Sequence, residues 1–261
     1  MNKYNLHTHS FYCGHGNGTI AEYVTVAKEE KLSVLGFSEH CPVPEDRWRK
    51  TRMAYASRPS YEADVRSAKE KNSSLQILLG YECDYFPEYD SYYRELKEQV
   101  DYLIMAVHFI QLPEEKDIPL HHRALGKREL YAYTDEYLRA MRSGLFLFGA
   151  HPDLFALNYL PWDDDAVSCS KAILSEAEHL HLPLEVNAYG LRKPMVHAPE
   201  GDRRGYPVLP FWSLAKEYDV QVVASADAHT PEALCGYDAL CSDFIKPTGI
   251  RFADCPYGGK P

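Results

Sequence analysis

Short apolar runs recur along the chain at roughly 3–7, 33–38, 75–81, 102–107, 145–150, 182–187 and 220–225, with amphipathic stretches between them. Strand-length apolar runs alternating with helical periodicity are the signature of repeated βα units around a parallel sheet. The clearest helix follows Thr19, where Thr-Ile-Ala-Glu forms a capping box with Glu22. From there Ile20, Tyr23, Val24 and Ala27 share one face. Further helices are predicted from near Ser60, from near Asp164, and from near Lys127, where Leu130, Tyr133, Tyr137, Leu138 and Met141 make one stripe. A last helix is predicted after Thr230-Pro231, with Thr as N-cap and Pro in the first turn.

Three connections, about 41–58, 109–126 and 188–209, are too long for plain βα turns. All follow strands, so in a barrel they crowd the C-terminal rim, where long loops form lids or binding walls. No repeat, low-complexity tract or linker interrupts the pattern, and one domain is expected over residues 1–261.

Composition narrows the function classes. Hydrophobic residues make up 45% and charged ones 25%, which excludes disordered and fibrous chains. The net charge of −10 disfavours a general binder of nucleic acid or of anionic membranes. No segment has the apolar length of a signal peptide or a membrane span. Seven cysteines without a CxxC pair suit free thiols in a reducing cytoplasm.

Twelve histidines change the picture most, because seven of them stand at or just beyond the ends of predicted strands. The first run ends His7-Thr-His9 with His15 in the loop beyond; the second ends in Glu39-His40, the third in Glu82 and the fourth in His108. The fifth ends His151-Pro-Asp153 and the seventh Asp227-Ala-His229. Strand ends on one rim of a barrel converge in space. In His7-x-His9 the side chains at i and i+2 of an extended segment leave the same face and can hold one ion, and Asp227-x-His229 repeats the geometry. Imidazoles with carboxylates suit zinc, manganese or iron. Nine candidate ligands exceed one ion; two or three ions bridged by a carboxylate such as Glu82 would use them all. His121-His122, His179 and His181 lack this context and are expected in solvent.

The motifs HTHS (7–10), GFSEH (36–40), GYECDY (80–85), MAVHF (105–109), GAHPD (149–153), EVNAYGLRK (185–193) and SADAH (225–229) resemble, in order, those of the polymerase and histidinol phosphatase (PHP) family of metal-dependent phosphoesterases. Through CGHG, GFSEHCPVP and GLRK the likeness is to its stand-alone histidinol-phosphate phosphatases. The resemblance implies an α/β fold, a distorted (β/α)7 TIM-like barrel, holding three divalent metal ions (Zn, Mn or Fe). One ion would take His7, His9, Glu82 and Asp227; a second would share Glu82 and add His108 and His151; a third would use His15, His40 and His229.

The implied reaction is hydrolysis of a small phosphorylated substrate, most closely L-histidinol phosphate, by metal-activated hydroxide attacking phosphorus in line. Arg192, in GLRK, is expected to clamp the phosphate with its planar fork, while Lys193 points elsewhere in an extended segment. Asp227, His229 or a water on the metal would protonate the leaving group, and Asp153, Glu114 and Glu115 are candidate acceptors for the substrate's cationic end. Alternatives are another small phosphomonoester, a phosphotyrosine, an oligonucleotide end, or a non-catalytic metal-bound scaffold.

Overall fold

A computed structural model describes residues 3–258. Four parallel strands, β1 (Tyr4–Asn5), β2 (Val34–His40), β3 (Gln76–Asp84) and β4 (Tyr102–Ala106), pair in sequence order. β5 (Leu184–Asn187) and β6 (Val222–Ser225) form a second parallel pair. Between the two sets, residues 147–150 run as an irregular strand with parallel bridges from Gly149 to Met105 and to Leu184. A further bridge from Thr8 to Ala228 joins the first strand to the last. Seven parallel segments thus close a barrel at the seven predicted runs.

Helices wrap the outside: α1 (Ile20–Glu29), α2 (Arg58–Lys71), α3 (Asp90–Gln99), α4 (Lys127–Arg142), α5 (Asp164–Leu180), α6 (Ala188–Arg192), α7 (Leu209–Ala215) and α8 (Tyr237–Ile245). α1 has the expected capping box: the Thr19 N–H donates to Glu22 at 2.7 Å, and Thr19 Oγ1 accepts from the Glu22 N–H at 3.3 Å. The helix expected directly after Thr230 is not there. Pro231–Leu234 is a single 3₁₀ turn, the Thr230 side chain caps nothing, and α8 starts only after Gly236, at φ 64°.

The strand period of two sorts the core into two layers. Leu103 and Met105 of β4, with Ile77, Leu79 and Tyr81 of β3, face outward into the main core shared with the helices. Tyr102, Ile104 and Ala106, with Leu78, face inward and join Leu6, Val34, Phe148 and Val223 in a plug filling the lower barrel. Gly36 and Gly80 make room for that plug: a Cβ on either would fall 2.3 Å and 2.6 Å from the Tyr102 side chain. Above Leu78 the same inward face of β3 continues through Gly80 to Glu82 and Asp84. One strand therefore carries both an apolar floor and an acidic crown.

Candidate metal centre

All nine ligands expected from the sequence meet at that crown. Glu82, 1% exposed, is the hub. Its Oε1 lies 3.0 Å from His151 Nε2, 3.4 Å from His7 Nε2 and 3.6 Å from His108 Nε2. Its Oε2 lies 2.7 Å from His40 Nδ1 and 3.5 Å from His9 Nε2. Asp227 Oδ1 closes the other side, 3.2 Å from His9 Nε2 and 3.5 Å from His7 Nε2. His229 stacks on His9 at 4.4 Å between ring centroids, and its Nε2 is 3.2 Å from His15 Nε2. Two of the nine hold left-handed backbone, His151 at φ 29° and Asp227 at φ 47°. Such conformations cost about 1–3 kcal/mol in a non-glycine residue and concentrate at functional sites.

A supporting layer that the motif reading missed holds the rings. His7 Nδ1–H donates to Glu185 Oε1 at 2.7 Å, while Glu185 Oε2 accepts from the His151 N–H at 3.0 Å and from Asn187 Nδ2 at 2.9 Å. Asn187 Nδ2 also reaches Asp227 Oδ2 at 3.1 Å. Asp84 accepts from His108 Nδ1 at 3.1 Å and from the buried Arg52 guanidinium at 3.0 Å. Glu39 Oε2 lies 3.8 Å from His9 Nδ1 and Oε1 accepts from the Ser10 N–H at 2.6 Å. Carboxylates behind metal-ligating imidazoles fix the tautomer and raise ligand basicity. The signal was present: Glu82-x-Asp84 and Glu185-x-Asn187 repeat the i, i+2 spacing of His7-x-His9.

The residues fit a cluster of cations. His7 Nε2, both ring nitrogens of His9, Glu82 Oε2 and Asp227 Oδ1 are buried without a hydrogen-bond partner. Each such group costs about 1–3 kcal/mol when left unsatisfied, and of these His7 Nε2, His9 Nε2, Glu82 Oε2 and Asp227 Oδ1 crowd together while His9 Nδ1 faces Glu39. Burial would raise the Glu82 carboxyl, but the His108, His7 and His40 imidazoles hold it well below the usual carboxylate range. Asp227 is likewise raised by burial and lowered further by His7 and His9. Burial pushes His229 down to about 3, with His9 acting in the same direction. Burial also lowers His9, yet the neighbouring Asp227, Glu39 and Glu82 carboxylates bring it up to about 9. Ionised carboxylates beside deprotonatable imidazoles are the donor set divalent ions require.

Above the cluster opens a cavity of about 1070 Å³. All three long connections reach it, contributing Trp48, Arg52, Phe109, His121, Tyr189 and Tyr206 to its walls. Two of them are locked together, with Trp48 stacked on Phe109 at 5.2 Å and Arg47 Nε bonded to Asp117 Oδ2 at 3.0 Å.

Several expectations are corrected here. His121 and His122 are exposed loop residues as expected, but they lie on the cavity wall, with the His121 ring stacked 6.0 Å from His108. Lys193, expected to point away, faces the cavity with its ammonium 4.1 Å above the Tyr189 ring. Arg192 is not brought to the cluster, and its Nη2 donates to the Cys235 carbonyl at 3.1 Å. The reason is α6: Asn187 Oδ1 caps it at the Gly190 N–H, 3.0 Å away, so these residues leave a helical turn and not an extended segment. None of the three carboxylates proposed for the substrate's cationic end lines the cavity. Asp153 is buried against the Val208 N–H and the Trp212 indole, Glu114 pairs with Arg128, and Glu115 pairs with Arg123 at 2.9 Å.

Comparison with known proteins agrees with this picture. The chain is 31% identical over 259 residues to a Deinococcus radiodurans protein named probable histidinol-phosphatase, covering 95% of this chain and 89% of that one. A Bacillus subtilis histidinol-phosphatase is 29% identical over 122 residues, 42% of this chain and 46% of the relative. In fold it matches the histidinol phosphate phosphatase of Lactococcus lactis, solved with zinc, L-histidinol and phosphate, at TM-score 0.74 and 14% identity over 100% of this chain and 99% of that one. Residues 5–188, which carry seven of the nine clustered ligands, match the PHP domain. With barrel, ligand order and sequence all in agreement, the chain belongs to the PHP domain family.

Proposed function

We propose that the protein is a metal-dependent phosphomonoester hydrolase that converts L-histidinol phosphate and water to L-histidinol and phosphate. The observation that carries the reading is the convergence of nine imidazole and carboxylate ligands, several with unpartnered buried donor atoms, beneath a cavity large enough for a small phosphate ester. The likeness to a histidinol-phosphatase along nearly the whole chain supports the substrate. Three divalent ions, zinc, manganese or iron, would be held by His7, His9, Glu82 and Asp227, by Glu82, His108 and His151, and by His15, His40 and His229. Such ions supply an acidified water and neutralise charge on a phosphoryl group.

The chain's own residues do the rest. Glu185, Asp84 and Asn187 fix the ligand rings and carboxylates, so little reorganisation accompanies reaction. Lys193 is the cation best placed for a phosphate oxygen near Asp227; Arg192 would have to leave the Cys235 carbonyl to reach one. Asp227 and His229, both lining the cavity, are the candidate carriers of the proton that the leaving alkoxide needs. One phosphoesterase domain is proposed for the chain. Seven unpaired cysteines support a reducing, cytoplasmic setting, and no helix among the described residues is long and apolar enough to cross a membrane.

The test is hydrolysis of L-histidinol phosphate, a phosphotyrosine peptide and a 5′-phosphorylated oligonucleotide by purified protein, before and after chelation and after return of Mn²⁺ or Zn²⁺. Chelator-sensitive, metal-restored hydrolysis with highest kcat/KM on histidinol phosphate is expected. Turnover that survives complete metal removal would overturn the metal mechanism, and preference for either other substrate would overturn the assignment.

A further inference from the structure

Charge on the cavity wall is one-sided. Among the described residues Asp227 is its only carboxylate, and that group faces the histidine cluster. The cations Arg49, Lys50, Arg52 and Lys193 line it as well. Arg52 is neutralised by Asp84 at 3.0 Å, and its neighbour Arg47 by Asp117 and by Glu88 at 2.9 Å. Arg49 and Lys50, on the same loop, have no ion-pair partner among the described residues. Among the described residues the Arg49 side chain makes one hydrogen bond, a long one of 3.4 Å to the Arg52 carbonyl. In a chain with 38 acidic against 28 basic residues, two adjacent uncompensated cations on a concave wall stand out. Low-dielectric walls focus such a field, and their mutual repulsion is relieved when an anion enters.

These cations do not bond to the ligand cluster. They follow Trp48 on the 41–58 loop and share the cavity wall with it, a placement that would set them against the leaving part of a substrate whose phosphoryl group is held at the ligand cluster. We propose that Arg49 and Lys50 make the cavity a site for phosphomonoesters whose leaving group carries a second anionic group, a carboxylate or another phosphate, as a further activity beside the one above. The inference rests on the phosphatase reading and goes beyond it, because histidinol carries a cation where this wall offers an anion site.

The experiment compares charge-matched substrates with metal-loaded enzyme: 4-carboxyphenyl phosphate against 4-carbamoylphenyl phosphate, and propane-1,3-diyl bisphosphate against 3-hydroxypropyl phosphate. With kcat/KM counted per phosphoryl group, since the bisphosphate has two equivalent ones, the anionic member of at least one pair is expected to be about 3- to 30-fold higher, the worth of two exposed ion pairs. Which pair responds tells carboxylate from phosphate. In Arg49→Gln/Lys50→Gln the ratio should fall to near one, and in Lys50→Glu it should drop below that. Equal rates within both pairs overturn the proposal. So does a preference that survives the double substitution, or a double substitution that slows both members of a pair equally, since the cations would then serve the phosphoryl group. Failure of all four esters together with histidinol phosphate would instead sink the phosphatase reading, and this proposal with it.

Discussion

Glu185→Gln probes whether the layer behind the ligands matters as the geometry says. The carboxylate accepts three hydrogen bonds, one at Oε1 from His7 Nδ1–H and two at Oε2 from the His151 N–H and Asn187 Nδ2. An amide of the same shape has only one oxygen. If that oxygen faces His7, its NH₂ meets the two donors from His151 and Asn187; if it faces them, the NH₂ meets His7. Either way at least one buried donor loses its acceptor, worth about 1–3 kcal/mol. His7 also loses the negative charge that sustains its basicity. The expected result is a 10- to 100-fold fall in metal affinity or in kcat/KM, the usual cost of removing a partner behind a metal-bound histidine. Chelator-competition titration reads the affinity, phosphate release the turnover, and circular dichroism the fold. A Gln variant with wild-type metal affinity and wild-type kcat/KM would refute the assignment of Glu185 to the His7 ring.

Glu82→Ala should lose at least one bound ion per chain by elemental analysis and more than about 100-fold in turnover, since it removes a ligand and not a partner behind one; normal metal content would remove Glu82 from the hub. Lys193→Ala should lower kcat/KM by about 10-fold or more, as expected for a charge-assisted bond to phosphate, and more than Arg192→Ala does; the reverse order would return the phosphate clamp to Arg192. Asp84 carries a pH signature: burial raises its carboxyl, but His108 and Arg52 bring it down to about 2 from an ordinary 3.8. A depressed acid stabilises the fold above its unfolded pKa and loses that contribution as pH falls through its folded one. About 2 kcal/mol should therefore disappear between roughly pH 4 and 2, seen by urea unfolding and absent from the curve of Asp84→Asn.

Much of the fold and most of the centre were legible because both rest on short-range periodicity. The seven apolar runs mark the seven barrel segments, and ligands at strand ends inherit a common rim from barrel topology alone. What escaped depends on geometry that spacing does not encode. The run at 145–150 yields bridges but no regular ladder. The position of His121 follows from the course of its loop, which is pinned by the antiparallel pair Phe109–Ile110 and Ile118–Pro119. Lys193 and not Arg192 faces the cavity because five residues form a helical turn where an extended strand end was expected; a step of 100° per residue in place of 180° redirects every side chain. Glu185 and Asp84 were overlooked for another reason: the i, i+2 spacing sets Asp84 on the face of Glu82 and Glu185 on that of Asn187, but does not say whether a carboxylate holds an ion or stands behind an imidazole.

The bridge between Thr8 and Ala228 is the seam at which the barrel closes, and the centre straddles it, with His7 and His9 on one side and Asp227 on the other. During synthesis the first ligands therefore emerge some 220 residues before their partners. No ribosome-bound chain shorter than about residue 229 can assemble the full set, and contacts of such long sequence separation are expected to form late. A bound cation would then act as a clasp across the last-closing joint, so metal supply would govern how often the barrel springs open as well as how fast it works. Hydrogen exchange should show the strands flanking that seam opening more readily in stripped protein than in loaded protein, while the β2–β3 ladder stays protected in both.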